Sequence, residues 1–207
     1  VSGTTADSGG ANANTCPPKH GGYLELILGP MFSGKTSKLL EIYKQSRFCD
    51  MNVMVINYIA DNRYSEESVL STHDKQMIPC VKVARLADVD ADELAAADTV
   101  LINEGQFFED IELVRQWVED GHKRVYICGL DGDFERKQIG GLLSLIPFCD
   151  EVYKLKSLCT TCKNGTPAVF SHRITCETSQ VVIGSNNYVP LCRACYDQAK
   201  CLHAQAG

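Results

Sequence analysis

Apolar residues fall in short blocks separated by polar and glycine-containing text, and the spacing inside each block predicts its element. Tyr23-Leu24-Glu25-Leu26-Ile27-Leu28 is a β-rich run, and so are Val53-Met54-Val55-Ile56-Asn57-Tyr58, Val100-Leu101-Ile102 and Val125-Tyr126-Ile127-Cys128. Helical spacing lies between them: Leu39, Leu40 and Tyr43 within Ser37 to Phe48, and Ile111, Val114, Trp117 and Val118 between Asp110 and Asp120. Short apolar strands alternating with amphipathic helices predict an α/β fold, a mostly parallel sheet covered on both faces.

The same pattern divides the chain. Residues 1–20 are rich in Gly, Ala, Ser, Thr and Asn without apolar periodicity, and predict a disordered tail. Residues 21–150 carry the α/β pattern. Near Asp150 the text changes to cysteine pairs, glycine and polar residues, predicting a small second domain over 151–198 and a disordered tail over 199–207. A length of 207 residues fits one full domain with such an appendage. Charge changes sign at the same place, from 14 basic against 23 acidic residues through Asp150 to 6 against 3 beyond it. The overall balance of −6 argues against nucleic acid as a partner along the whole surface. No apolar run approaches the ~20 residues needed to cross a bilayer, so no membrane partner is expected.

Chemistry enters at Gly29-Pro30-Met31-Phe32-Ser33-Gly34-Lys35-Thr36, which fits G-x-x-x-x-G-K-[ST] and stands between a β run and a helix. Glycines let the backbone approach phosphate oxygens, N–H groups and the helix N-terminus supply a positive field, and Lys35 reaches the β and γ phosphates. Thr36 would offer its hydroxyl to Mg²⁺. A chance glycine-rich turn is the alternative. An acidic group is expected at the end of a neighbouring strand, and Asn103-Glu104-Gly105-Gln106-Phe107-Phe108 follows the Val100-Leu101-Ile102 strand at the edge where open α/β sheets bind ligands. Glu104 there suits a general base, with a solvated loop carboxylate as the alternative.

Eleven cysteines, an odd count, do not suit a fully paired secreted scaffold, so a reducing, cytoplasmic compartment is expected. Cys159-x-x-Cys162 and Cys192-x-x-Cys195 supply four thiolates in two tight pairs, the arrangement of a closed structural zinc site. Two disulfides or four buried thiols are the alternatives. The 29 residues from Lys163 to Leu191 form a long loop pinned at its base. Cys16, Cys49, Cys80, Cys128, Cys149, Cys176 and Cys201 show no such pairing and are read as core or adventitious thiols.

Taken together, the phosphate loop, Asp61-Asn62-Arg63-Tyr64, Thr72-His73-Asp74, Glu104-Gly105-Gln106-Phe107-Phe108, Leu130-Asp131-Gly132-Asp133-Phe134, the cysteine pairs and Val182-Ile183-Gly184 with Tyr188 resemble type II thymidine kinases. The resemblance runs from about Gly22 to Tyr196. It implies a P-loop-type sheet with a small zinc-binding lasso domain, and transfer of the ATP γ-phosphate to the 5′-hydroxyl of thymidine. It further implies Glu104 as base, assisted by Arg63 and Lys35. Asp61, Asn62, Arg63, Asn103 and Gln106 would join the phosphate loop on the nucleotide side. Met31, Phe107, Leu130 and Phe134 would enclose the thymine, with Gln180, Val181, Val182, Ile183, Gly184 and Tyr188 closing over it from the lasso strand. A homotetramer and feedback inhibition by thymidine triphosphate (dTTP) are implied in the same way.

Four points stay open at this stage. Phe107 and Phe134 by themselves suit core packing as well as ligand contact. His73 beside Asp74 suits a structural role as well as orientation of a carboxylate or phosphate. The family has Asp before its catalytic Glu where this chain has Asn103, so either Thr36 and the phosphates hold magnesium or the metal site is weakened. Other classes remain as well: a zinc-bearing nucleic-acid-binding ATPase, or a nucleotide sensor without turnover.

Overall fold

The computed structural model describes residues 21–59, 69–71, 77–182 and 184–205. Six strands form one parallel sheet: β1 (Tyr23–Leu28), β2 (Val53–Tyr58), β5 (Val81–Val83), β6 (Thr99–Asn103), β7 (Arg124–Gly129) and β8 (Glu151–Lys154), in the order β5-β2-β6-β7-β1-β8. A short antiparallel pair, β3 (Val69–Ser71) with β4 (Met77–Pro79), lies before β5. The helices are α1 (Lys35–Phe48), α2 (Ala91–Ala96), α3 (Val114–Glu119) and α4 (Arg193–Gln205).

Strand alternation explains why both faces are apolar. Leu24, Leu26 and Leu28 of β1 point with Ile56, Ile102 and Ile127 into one core, closed by Phe108, Ile111, Trp117 and Leu142. Ile27 of β1 points the other way, with Val55, Leu101 and Tyr126, against Leu39, Leu40 and Ile42 of α1. The expected parallel sheet with covered faces is thus what forms. The periodicity between Asp110 and Asp120 becomes a 3₁₀ turn, Ile111–Leu113, leading into α3.

Three details differ from the sequence pattern. The large sheet continues past Asp150, because β8 pairs with β1 from Glu25↔Glu151 to Leu28↔Lys154. All of β8 is exposed, so it carries no buried apolar signature. Helix α4 extends to Gln205 and covers residues expected to lie in a disordered tail; Ala, Gln, Lys and Leu there favour helix. Finally, α1 starts at Lys35 rather than Ser37, since Gly34 turns left-handed (φ 85°) directly before it.

The segment after β8 is built differently. Strands β9 (Ser157–Leu158) and β10 (Pro167–Ala168) form one antiparallel pair, and β11 (Phe170–Arg173) and β12 (Tyr188–Leu191) another. Its core is small: Cys159, Ala168, Leu191, Cys192 and Tyr196, with Phe170 and Val189 packed against it.

Candidate active site

Two loops meet at the carboxyl edge of the sheet. The first follows β1. Gly29 has φ 154°, and a Cβ there would stand 2.7 Å from the Leu155 carbonyl and 2.8 Å from the Ser33 hydroxyl, so only glycine fits. Phe32 is also left-handed, at φ 62°. The loop delivers Lys35 and Thr36 into the first turn of α1, and the Lys35 ammonium donates to the Pro30 carbonyl at 2.8 Å. Ser33 Oγ is buried with no hydrogen-bond partner among the described residues, the kind of orphaned polar atom that a phosphate oxygen would satisfy.

The second loop follows β6. Glu104 is left-handed (φ 57°, ψ 42°), a conformation that costs a non-glycine residue free energy and that recurs at functional sites. Gly105 allows the turn to lie on β7, since a Cβ would meet Ile127 Cγ2 at 2.4 Å. Glu104 is 5% exposed, and its Oε2 accepts from Gln106 Nε2 at 2.6 Å. Gln106 Oε1 in turn accepts from the Leu130 N–H at 3.0 Å. Gln106, expected beside the nucleotide, therefore holds the carboxylate and ties it to the loop after β7. Ile102 pairs with Ile127, and Gly129 with Leu28. This register sets Glu104 level with the start of the phosphate loop, two strand spacings or about 10 Å away.

Asn103 sits in a row of polar side chains across three strands. Its Nδ2 donates to Asn57 Oδ1 of β2 at 2.9 Å, and the Cys128 thiol of β7 donates to its Oδ1 at 2.9 Å. Cys128, read as a core or adventitious thiol, is buried and a hydrogen-bonding member of this row. The adjacent aromatics separate by burial: Phe108 is in the core, whereas Phe107 is half-buried with its ring 5.4 Å from that of Tyr58.

The cysteine pairs converge. All four sulfurs lie within 4.8 Å of one another, with Cys162 3.8 Å from Cys192 and 3.5 Å from Cys195. Four sulfurs about 2.3 Å from a tetrahedral zinc would be ~3.8 Å apart, so the donor set fits that metal. None of the described cysteines is in a disulfide. Burial opposes ionisation of Cys159, yet backbone N–H donors from Cys162, Cys192 and Thr161 hold its thiol below the ordinary value. Cys195 is raised by its sulfur neighbours.

The thymidine kinase family profile matches residues 22–196. Cytosolic thymidine kinase of Cricetulus griseus is 36% identical over 181 residues, 87% of this chain and 75% of that protein. The cytosolic enzyme of Homo sapiens is 35% identical over the same shares, and the thymidine kinase of Monkeypox virus is 37% identical over 86% of this chain and 98% of its own. This chain belongs to the thymidine kinase family. It is a phosphotransferase by that membership, and among the described residues no helix is long and apolar enough to cross a membrane.

For a thymidine kinase, the residues expected around the nucleoside are partly brought together. Leu130 and Phe134 follow β7, and the Leu130 N–H is joined to Glu104 through Gln106. Gln180 and Val182 are in irregular backbone rather than a lasso strand: side chains hold them in place of a ladder. Gln180 Nε2 donates to Asp133 Oδ2 at 2.9 Å, and the Tyr188 hydroxyl donates to the Val182 carbonyl at 3.2 Å. Val181 is exposed and Gly184 half-buried. The Met31 N–H donates to Ser171 Oγ at 2.9 Å, so the phosphate loop is tied directly to β11. Asp61, Asn62, Arg63, His73 and Ile183 lie outside the described residues. Two residues escaped the sequence reading: Ser171, which has no motif, and Arg173. The latter is the sole Lys or Arg between Asn164 and Cys192, a signal that was there to be used.

Proposed function

We propose that this chain transfers the γ-phosphate of ATP to the 5′-hydroxyl of thymidine, giving thymidine monophosphate and ADP. The observation that carries the reading is the buried Glu104 carboxylate, oriented by Gln106 at the sheet edge that also bears the phosphate loop. The loop amides, the Ser33 hydroxyl and the Lys35 ammonium suit the triphosphate. Glu104 takes the proton of the 5′-hydroxyl as that oxygen forms its bond to the γ-phosphorus. The bond from the γ-phosphorus to the β–γ bridging oxygen breaks, and ADP leaves with the electron pair. Lys35, with Arg63, offsets charge on the transferring group, while Asp61 and Asn62 belong to the nucleotide side. Met31, Phe107, Leu130, Phe134 and Tyr188, with residues 180–184, enclose the thymine.

Thr36 is the residue that would hold magnesium, which when bound neutralises phosphate charge. Asn103 fits that role poorly, because its amide is committed to Asn57 and Cys128 and carries no charge. Zinc would be held by Cys159, Cys162, Cys192 and Cys195, as a closed structural site.

The same reading includes feedback by thymidine triphosphate, a homotetramer and a cytoplasmic location, in line with the names of the cytosolic relatives. ADP release measured with thymidine, with DNA and with neither tests the core of it. Thymidine-dependent release is expected; DNA-stimulated release, or binding without turnover, would replace the kinase reading by a nucleic-acid ATPase or a sensor. Inhibition by the triphosphate in that assay tests the feedback, and sedimentation of the protein tests the tetramer.

A further inference from the structure

Arg173 is the last residue of β11 and the ladder partner of Tyr188, so the loop 174–187 opens from this pair. The residue is 3% exposed, yet no carboxylate accepts from it in any of its hydrogen bonds. Its guanidinium does something else. Nη1 donates to the carbonyls of Glu177 at 2.8 Å and of Ser179, and Nη2 donates to the carbonyl of Gln180 at 3.0 Å and to the Tyr188 hydroxyl at 2.6 Å. The Tyr188 hydroxyl accepts in addition from the Val182 N–H, at 3.3 Å, and donates to the Val182 carbonyl. The guanidinium carbon lies 3.8 Å from the centre of the Phe134 ring.

One side chain therefore joins three pieces: the β11–β12 base, the irregular segment 177–182, and Phe134 of the loop after β7. That segment has no strand pairing of its own, and its side chains from Glu177 to Val181 are exposed, so burial does not fix its shape. The planar fork does, helped by the Gln180 side chain, which donates to Asp133 and to the Gln138 carbonyl. Lysine has three donors around a point charge and does not reproduce four bonds from one planar fork together with its contact to a ring.

We propose that Arg173 is the positioning residue of the nucleoside pocket: it fixes segment 177–182 over the thymine side of the site and sets nucleoside affinity, without taking part in phosphoryl transfer. The proposal rests on the thymidine reading above for its ligand, but not for the ordering of the segment. Removing the fork leaves the carbonyls of Glu177, Ser179 and Gln180 near the surface, where water replaces the lost donors. The loop then loosens while the sheet stays folded.

The test uses the whole zinc-loaded chain with Arg173→Met, Arg173→Lys and Tyr188→Phe, the last removing the hydroxyl that accepts from Arg173 and donates to the Val182 carbonyl while keeping the ring. Charged hydrogen bonds of this kind correspond to about 10–100-fold each in an equilibrium. Arg173→Met is expected to raise KM for thymidine at least about 30-fold, with kcat within about threefold and KM for ATP unchanged. Amide exchange over 177–182 speeds up in step, while β1, β6 and β7 keep their protection. Arg173→Lys restores less than half of the lost affinity, and Tyr188→Phe shows a smaller change in the same direction. If Arg173→Met fails to fold, the other two variants carry the same comparison. Faster exchange with unchanged KM, or a fall in kcat at unchanged KM, overturns the proposal. Absence of thymidine-dependent turnover in the unsubstituted protein instead overturns the kinase reading, and the exchange data distinguish the two failures.

Discussion

The two loops at the carboxyl edge of the sheet and the loop that opens from β11 are held by different physics. The first are continuations of β1 and β6, strands packed between two apolar clusters, so the positions of Lys35 and Glu104 are inherited from the core beneath them. The second rises from a core of five buried residues, and its course is fixed by the Arg173 fork, the Tyr188 hydroxyl and the Gln180 to Asp133 bond. The residues proposed to act on the bonds thus stand on the part with least freedom. Segment 180–182 and Tyr188, proposed to close over the base, stand on a part held by a few directional bonds. Chemistry needs positions held to a fraction of an ångström, whereas an enclosing loop must let its ligand in and out.

The largest test of this contrast is the metal. Chelation or Cys162→Ser removes a site of the kind worth about 10–16 kcal/mol in small zinc modules. Amide protection from Ser157 to Tyr196 should collapse while β1, β6 and β7 keep theirs, as read by hydrogen exchange after zinc content is measured. Cooperative loss of both parts would mean that the contrast is false.

Next comes Glu104→Gln, expected to lower kcat by about 10²–10⁴-fold while thymidine affinity and the melting transition stay put. An unchanged rate in single-turnover measurements would remove the base from Glu104.

Asn103→Asp probes the boundary between core and chemistry. A carboxylate there cannot donate to Asn57, so a loss of about 1–3 kcal/mol in denaturant midpoint is expected. A lower magnesium concentration for half-maximal rate is expected too. If the magnesium dependence does not move, position 103 has no part in metal binding.

The smallest effect belongs to Glu25, buried in β1 and accepting from the Tyr23 hydroxyl at 3.0 Å. Burial raises its carboxyl above the ordinary 4.5 despite that bond. The folded state then holds its proton more tightly than the unfolded state, so stability falls as pH rises from about 4.5 through the raised value. Glu25→Gln should be more stable than the unsubstituted protein at neutral pH, by under about 1 kcal/mol, with the advantage gone at pH 4. Urea midpoints across that range check it.

Strand and loop were legible where apolar runs were long enough to need covering. Tyr23–Leu28 and Val53–Tyr58 form strands with the bounds their text implied, and the phosphate loop stands between strand and helix. Strands β8 and β5 were not legible, since one is wholly exposed and the other has three residues. The thiols of Cys159, Cys162, Cys192 and Cys195 were legible as a pair of pairs because metal ligands recur at fixed local spacing. No local rule marks Ser171 as the partner of Met31, 140 positions away.

By itself, then, the sequence determined the alternation of apolar strands and helices, the phosphate loop, the candidate base and the four thiols, because each is written in a short window whose periodicity or spacing reflects local geometry. Only the tertiary structure decided that Asn103 is tied to Asn57 and Cys128, that Gln106 holds Glu104, and that Arg173 gathers a loop around one guanidinium. Those are contacts between distant segments. Their partners are chosen by strand order and register, which no single window of sequence contains.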